Sequence, residues 1–473
     1  MQAQDKLKQY KNFIFYNTRY DKYLSNRFCI NSKHLRENQV FISLEKNTKK
    51  NFSNIKDAIK KGASGFITPF IYSRKTLNKQ VPYLVSKDIF STYSKLFKYD
   101  LLKIKQLPCL IGVTGTNGKT SSSLLLADSL TIQNKKVGLI SSEGIGIYPD
   151  TLQNNYTTPP IDIIYKNIIN FSLKKCDYII IECSSQGLHQ GRLDGINFDY
   201  SVITNIDKDH IDYHETLRNY IHSKLNIINQ SIKVVLNHDC INLKKIDNSQ
   251  YKCKQKYYIS KNKINKKNFI DTDILESFHE TKMNPFNKYS IKLIIALMKL
   301  ENFNVNEILE SISRLRPLKG RRHIIPTKHN GIFLIDYAHT EQAYKNIFHD
   351  FCKNKKVRTL FGCGGDRDAS KRKLTAKIVD KFSSEIIMTE DNSRTEKFSV
   401  IKKDIISGIV DKNKVRVIEN RKKAIKYLFE TSTKNEFNLI LGKGNENFIL
   451  KNNRKIKHND IDYLEGLISK NGS

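Results

Sequence analysis

Ile111-Gly112-Val113-Thr114-Gly115-Thr116-Asn117-Gly118-Lys119-Thr120 sets three glycines at every third position ahead of a Lys-Thr pair. The apolar run leading into it has the pattern of a buried strand, and Ser121 to Leu130 has that of a helix. Strand, glycine-rich turn and helix N-terminus together make a phosphate cradle, in which backbone N–H groups point inward and the helix dipole favours anions. Lys119 then reaches terminal phosphates, and the Thr120 hydroxyl can ligate Mg²⁺. Val113 stands where the standard G-x-x-x-x-G-K-[ST] loop has its first glycine, which narrows the reading to a subset of nucleotide users.

Around this loop, 473 residues are too many for one core, so two or three domains are expected. No apolar run reaches the ~18 residues of a membrane span. Met1 to Lys11 is polar and lacks the apolar core of a signal peptide, so a cytoplasmic protein is expected. The eight cysteines are scattered without a C-x-x-C pair, which reads as free thiols and gives no zinc site. The formal charge of +34 is spread along the chain and is densest between Lys244 and Lys267. Nucleic-acid binding is not the expected main role, although such a field attracts anionic nucleotides.

Three units are predicted: residues 1–98, 99–316 and 317–473. In the first, Gln39 to Leu44 and Gly65 to Pro69 read as strands and Ile55 to Lys61 as a helix. In the second, the strands are Val137 to Ser141, Tyr178 to Cys183 and Ser201 to Asn205, with a helix from Ile161 to Leu173. The third continues with strands at Ile332 to Tyr337, Arg358 to Gly362, Ile386 to Thr389 and Asn438 to Leu441. Strands alternating with helices give an α/β chain with doubly wound, mostly parallel sheets. Ligands in such sheets sit beyond the carboxyl ends of the strands, where Glu182, Ser184 and Asn205 through His210 fall.

Glu182 closes a strand downstream of the phosphate loop, a place suited to Mg²⁺ coordination or to capping a loop. His210 and His214 lie four apart, as in a helical zinc pair, but no H-E-x-x-H or third soft ligand accompanies them. On chemistry alone His210 reads as structural, because magnesium prefers oxygen. Taken alone, Lys224 reads as a surface lysine among 81 basic residues.

A more specific pattern runs from about residue 30 to the C-terminus. It comprises Thr114 through Thr120, Thr157-Thr158-Pro159, Glu182 through Leu188, Arg192, Thr204-Asn205, Asp209 through His214 and Tyr220 through Lys224. Gly320-Arg321, Asp336 through Thr340, Gly362 through Asp368, Lys371-Arg372, Asp391-Asn392-Ser393-Arg394 and Gly442-Lys443-Gly444 continue it. The chain thereby resembles the Mur ligases, and most closely the branch that makes UDP-N-acetylmuramoyl-tripeptide. The resemblance implies a small uridine-binding domain, a central phosphate-loop domain and a Rossmann-like C-terminal domain that binds the incoming amino acid. It also implies a peptidoglycan-building reaction: ATP activates a substrate carboxylate as an acyl phosphate, an amine attacks, and phosphate leaves.

The same resemblance assigns residues. Lys119, Glu182, His210 and Lys224 would be catalytic. Gly115, Thr116, Asn117, Gly118, Lys119, Thr120, Ser121, Asn287, Arg321 and Asp336 would hold ATP. Thr120 and Glu182 would bind one Mg²⁺, and His210 with a carbamylated Lys224 a second. Ser32, Thr157, Thr158, Ser184 and Arg192 would bind the UDP-muramoyl-dipeptide. Arg367, Asp391, Asn392, Arg394, Gly442 and Glu446 would bind meso-diaminopimelate, since a guanidinium pairs with a distal carboxylate that lysine lacks.

The segment departs from the family pattern at Ser393, where Pro is usual, and at Asn445, where His is usual. Asn31-Ser32-Lys33 replaces the Asp-Ser-Arg of the first domain. Competing readings are the same ligase adding L-lysine, a folylpolyglutamate synthase sharing the loop, and a non-catalytic nucleotide- or nucleic-acid-binding homologue. A monomer acting on small molecules is expected, with domain closure because Arg321 and Asp336 lie on a different unit from Lys119.

Overall fold

In the structure, a computed structural model, residues 28–45, 47–71, 81–86, 88–154, 156–244, 250–274, 288–352 and 357–470 are described. The strand that carries the phosphate loop, Cys109–Thr114, lies in the middle of an eight-stranded sheet. On one side of it stand Tyr178–Glu182, Val137–Ser141 and an antiparallel hairpin, Gly144–Ile147 with Asp150–Leu152. On the other stand Phe198–Ile203, Ser231–Asn237 and Gln255–Ile259, all parallel. The chain therefore reverses its direction of winding at the loop strand, and the crevice opens there.

The central strands of this sheet are apolar because helices cover both faces. Tyr178–Glu182 is buried along its whole length. Ile179 and Ile181 pack against Ile164, Ile168 and Phe171 of the Ile161–Leu173 helix. Ile180 points the opposite way, to Leu125, Leu126 and Leu130 of Lys119–Ile132 and to Ile291 and Ile294 of Lys288–Leu300.

The N-terminal unit is a four-stranded parallel sheet ordered Phe28–Cys29, Val40–Ile42, Gly65–Thr68 and Tyr83–Val85. Phe28, Val40 and Ile67 share one core cluster with Ile161 and Tyr165, so this sheet is packed onto the central unit. The C-terminal sheet has six strands, ordered His323–Pro326, Ile332–Asp336, Phe437–Leu441, Val357–Phe361, Glu385–Met388 and Val415–Val417. Only its first pair is antiparallel. A separate hairpin, Phe448–Lys451 with Arg454–Lys457, flanks it.

Val137–Ser141 and Ile161–Leu173 fall where the spacing predicts. The first helix starts at Thr48 rather than Ile55, because the Asn47 side chain caps it by accepting from Lys50 N at 3.1 Å. The strand expected at Ser201 to Asn205 ends at Ile203. Thr204 and Asn205 instead turn toward the phosphate loop. Among the described residues no helix is long and apolar enough to cross a membrane.

Deep in the C-terminal unit, Arg421 and Asp460 are both fully buried, with guanidinium nitrogens 2.8 and 2.7 Å from the two carboxylate oxygens. Removing one partner of such a pair leaves an uncompensated buried charge. Arg421→Met is expected to destabilise this unit by about 3–5 kcal/mol, read as a lower urea midpoint in far-UV circular dichroism. An unchanged midpoint would contradict that assignment.

Candidate active site

The loop after Cys109–Thr114 is held by the end of the neighbouring strand. A Cβ at Gly115 would meet Thr204 Oγ1 at 1.9 Å, so only glycine lets the two segments touch. Thr116 N donates to the Asn205 carbonyl at 2.8 Å and Asn117 N to Asn205 Oδ1 at 3.0 Å. Asn205 Nδ2 returns a bond to the Asn117 carbonyl at 2.9 Å. Gly118, at φ +81°, begins the following helix without a side-chain cap, leaving its first N–H groups to face an anion. Lys119 Nζ curls over the loop, 3.0 Å from the carbonyls of Gly115 and Thr116. Burial lowers the pKa of this ammonium, against the pull of Glu182.

Beside it, Thr120 Oγ1 donates to Glu182 Oε1 at 2.9 Å. Ser142 adds its backbone N–H and its hydroxyl to Glu182 Oε2, at 3.0 and 2.9 Å. Glu182 is therefore no simple loop cap: it gathers the hydroxyls of Thr120 and Ser142 around its carboxylate. Two hydroxyls and a carboxylate are hard donors, a set that fits Mg²⁺. Ser142 belongs to no motif, but it follows the strand Val137–Ser141, whose carboxyl end opens on the same crevice.

Lys224 is almost wholly buried, and its Nζ donates to the Gly115 carbonyl at 2.6 Å. Burial, together with nearby Lys119, drives its pKa well below the usual lysine range. The reading of Lys224 as a surface lysine is thus corrected: the Leu217–Leu225 helix turns it beneath the loop. His210 adopts φ +50°, with Nε2 3.4 Å from Asp209 Oδ2. Burial pushes the imidazole down to about 4, although Asp209 pulls the other way. Burial would raise the Asp209 carboxyl, but His210, His339 and Lys371 hold it well below the usual range.

Ser142, Glu182, His210 and Lys224 line one cavity of about 590 Å³ with Thr116 through Ser121, Thr157, Thr158, Ser184 and Arg192. Thr158 Oγ1 donates to the Glu182 carbonyl at 2.7 Å and accepts from Ser184 N at 2.8 Å. Arg192 donates to the Thr158 carbonyl at 2.5 Å. Arg321 and Asp336 enter the same cavity from the C-terminal unit. Arg321 lies 3.7 Å from Glu143 and over the Tyr337 ring. Thr340 Oγ1 donates to Asn117 Oδ1 at 3.1 Å, and Lys371 pairs with Asp209 at 2.5 Å across the two units. Burial raises the Asp336 carboxyl despite Arg321 nearby. Ser32 is buried in the N-terminal unit and lines no part of this cavity. Asn287 lies outside the described residues.

A second cavity of about 200 Å³ adjoins the first and is lined by Arg367, Asp391, Asn392, Arg394, Gly442 and Glu446 together. Arg367 lines both cavities. Arg394 stands at φ +56°, its backbone N bonded to the Leu450 carbonyl at 2.9 Å and its guanidinium to the Gly365 carbonyl at 2.6 Å. Ser393, in place of the usual proline, donates its hydroxyl to Glu390 at 2.8 Å and ties the segment down. Asn445 donates to Glu143 at 3.1 Å. Lys443, buried behind this pocket, stands in the Gly442-Lys443-Gly444 segment that carries the resemblance, which assigned it no role.

Loop, sheet order and strand-end acids define a phosphate-loop α/β protein. Its residues 113–313 match the Mur ligase middle domain, and residues 320–444 match the Mur ligase, glutamate ligase domain. A UDP-N-acetylmuramoyl-L-alanyl-D-glutamate–2,6-diaminopimelate ligase from Wigglesworthia glossinidia brevipalpis is 32% identical over 95% of this chain and 96% of its own. One from Helicobacter pylori is 30% identical over 84% of this chain and 91% of its own. A solved structure of a ligase of the same name shares the fold, at TM-score 0.63 and 23% identity over 97% of this chain and 98% of that one. The chain belongs to the Mur ligase family.

His214 is also buried, and its imidazole is pushed down to about 4, mainly by burial. Both His210 and His214 are expected to stay neutral well below pH 6.5 in imidazole NMR titrations. An unfolded histidine takes its proton near 6.5 while these folded ones refuse it until about 4. Stability should therefore fall as the pH falls through that window. Ordinary midpoints near 6.5 for both would contradict the burial argument.

Proposed function

We propose that this chain is an ATP-dependent ligase that joins meso-diaminopimelate to UDP-N-acetylmuramoyl-L-alanyl-D-glutamate during peptidoglycan synthesis. The observation that carries the reading is the adjoining pocket, where Arg394 and Arg367 stand with Asp391, Asn392 and Glu446 next to the phosphate-loop cavity. Such a pocket offers cations to a distal carboxylate and carboxylates to a distal ammonium. L-lysine would leave Arg394 without an anion. We assign residues 1–98 to the uridine moiety, 99–316 to ATP and 317–473 to the amino acid, in a monomer that works in the cytoplasm.

In this reading the N–H groups of Gly118, Lys119 and Thr120, at the uncapped helix start, cradle the phosphates, with Gly115, Thr116 and Asn117 shaping the loop, and Lys119 holds the γ-phosphoryl group in line with the substrate carboxylate. Arg321 and Asp336 clamp the nucleotide from the C-terminal unit. Thr157, Thr158, Ser184 and Arg192 orient the muramoyl-dipeptide, and Ser32 contributes to the uridine end. Thr120 and Glu182, with Ser142 alongside, would hold one Mg²⁺, which when bound neutralises phosphate charge.

His210 and a carbamylated Lys224 would hold a second ion. The burial that disfavours the Lys224 ammonium supports that modification, because carbon dioxide adds to the neutral amine. Phosphoryl transfer yields an acyl phosphate and ADP. The diaminopimelate amine then attacks the acyl carbon and phosphate leaves.

Lys119→Ala should abolish phosphate release. Arg394→Ala should raise the KM for diaminopimelate roughly 10- to 100-fold, the loss of a charged hydrogen bond, and leave the KM for ATP unchanged. An Arg394→Ala enzyme with wild-type diaminopimelate kinetics would overturn the pocket assignment.

A further inference from the structure

Lys443 occupies a turn between Gly442, at φ +111°, and Gly444, at φ +54°. A Cβ at position 442 would meet Asp391 Oδ2 at 2.7 Å, and one at 444 would meet the Gly320 carbonyl oxygen at 2.5 Å. The turn is thereby pressed between the amino-acid pocket and the Gly320-Arg321 loop. Its lysine folds beneath the pocket with no exposed side-chain surface.

A lysine buried this completely must be paired to be tolerated. Its partners all belong to the pocket. Lys443 Nζ donates to Glu446 Oε2 at 2.6 Å and to Asn392 Oδ1 at 3.1 Å, and lies 3.7 Å from Asp391 Oδ1. Asn392 Oδ1 also accepts from Leu450 N at 2.8 Å, while its Nδ2 donates to Glu446 Oε2 at 2.8 Å. Two donors on one side fix which way the Asn392 amide points. The same ammonium lies between the carboxylates of Asp391 and Glu446, where it offsets their mutual repulsion.

We propose that Lys443 is a positioning residue for amino-acid recognition. From behind the cavity wall it orients Asn392 and Glu446 and sets the pocket's charge balance, without touching the amino acid itself. The proposal rests on the pocket assignment above.

The test compares wild type, Lys443→Met, Glu446→Gln and the double variant in steady-state phosphate release, with ATP and diaminopimelate varied separately. Lys443→Met should raise the diaminopimelate KM roughly 10- to 100-fold, lose part of the preference for diaminopimelate over L-lysine, and keep the ATP KM within about twofold. A lysine that served only folding would move both constants together or neither, and either result overturns the proposal.

Should the single variant not fold, the double variant removes both charges of the pair and is compared with Glu446→Gln. A higher diaminopimelate KM in the double variant supports the proposal, because Asn392 has lost a donor, and an equal KM overturns it. Wild-type turnover separates the two readings. If wild type uses another amino acid and not diaminopimelate, the pocket assignment fails. The same variant comparison is then read with the amino acid that is used.

Discussion

The contact on which the rest of this structure depends is the close approach of the phosphate loop to the end of the Phe198–Ile203 strand. Gly115 lies where any side chain would strike Thr204, and Asn205 binds the loop through both its backbone and its amide. This fixes the loop at the point where the sheet's winding reverses. It also sets what lies underneath. The Gly115 carbonyl, turned inward, receives both Lys119 and Lys224. Two ammonium groups converging on one carbonyl is a costly arrangement in a buried site, and burial first, with Lys119 beside it, lowers the Lys224 pKa.

From that centre the other parts take their positions by topology. Glu182 and Ser142 come from two strands on one side of the loop, and Asp209 and His210 from the turn after the strand on the other. The C-terminal unit then supplies Arg321, Asp336 and Arg367, held across the gap by Lys371 with Asp209 and Thr340 with Asn117. No single unit contains the whole cavity. An arrangement of this kind suits a reaction in which water must be kept from an activated carboxylate until the amine arrives.

Much of this was legible in the residues because short-range patterns carry it. The glycine spacing, the Lys-Thr pair and the apolar strands gave the loop and the central sheet, and the segment around Arg394 marked the adjoining pocket. What escaped was set by contacts distant in sequence. On spacing and composition alone Lys224 reads as any other lysine, and only the resemblance singles it out before the fold buries it under Gly115. Ser142 gains its place only from the order of strands in the sheet. The hairpin at Phe448–Lys451 and Arg454–Lys457, which holds Arg394 through Leu450, has two strands of four residues, the second mostly basic, too short a pattern to stand out in the sequence. Ser393 stands where the family usually has proline, and its bond to Glu390 supplies a restraint in place of the proline ring.

The central claim is that the two cavities act as one site for ATP-driven amide formation with diaminopimelate. It is tested most directly by phosphate release from ATP and Mg²⁺ with UDP-N-acetylmuramoyl-L-alanyl-D-glutamate, run with meso-diaminopimelate, with L-lysine and with neither. Release that requires diaminopimelate is the predicted result. Release with lysine instead, or with no dependence on any amino acid, would contradict the account.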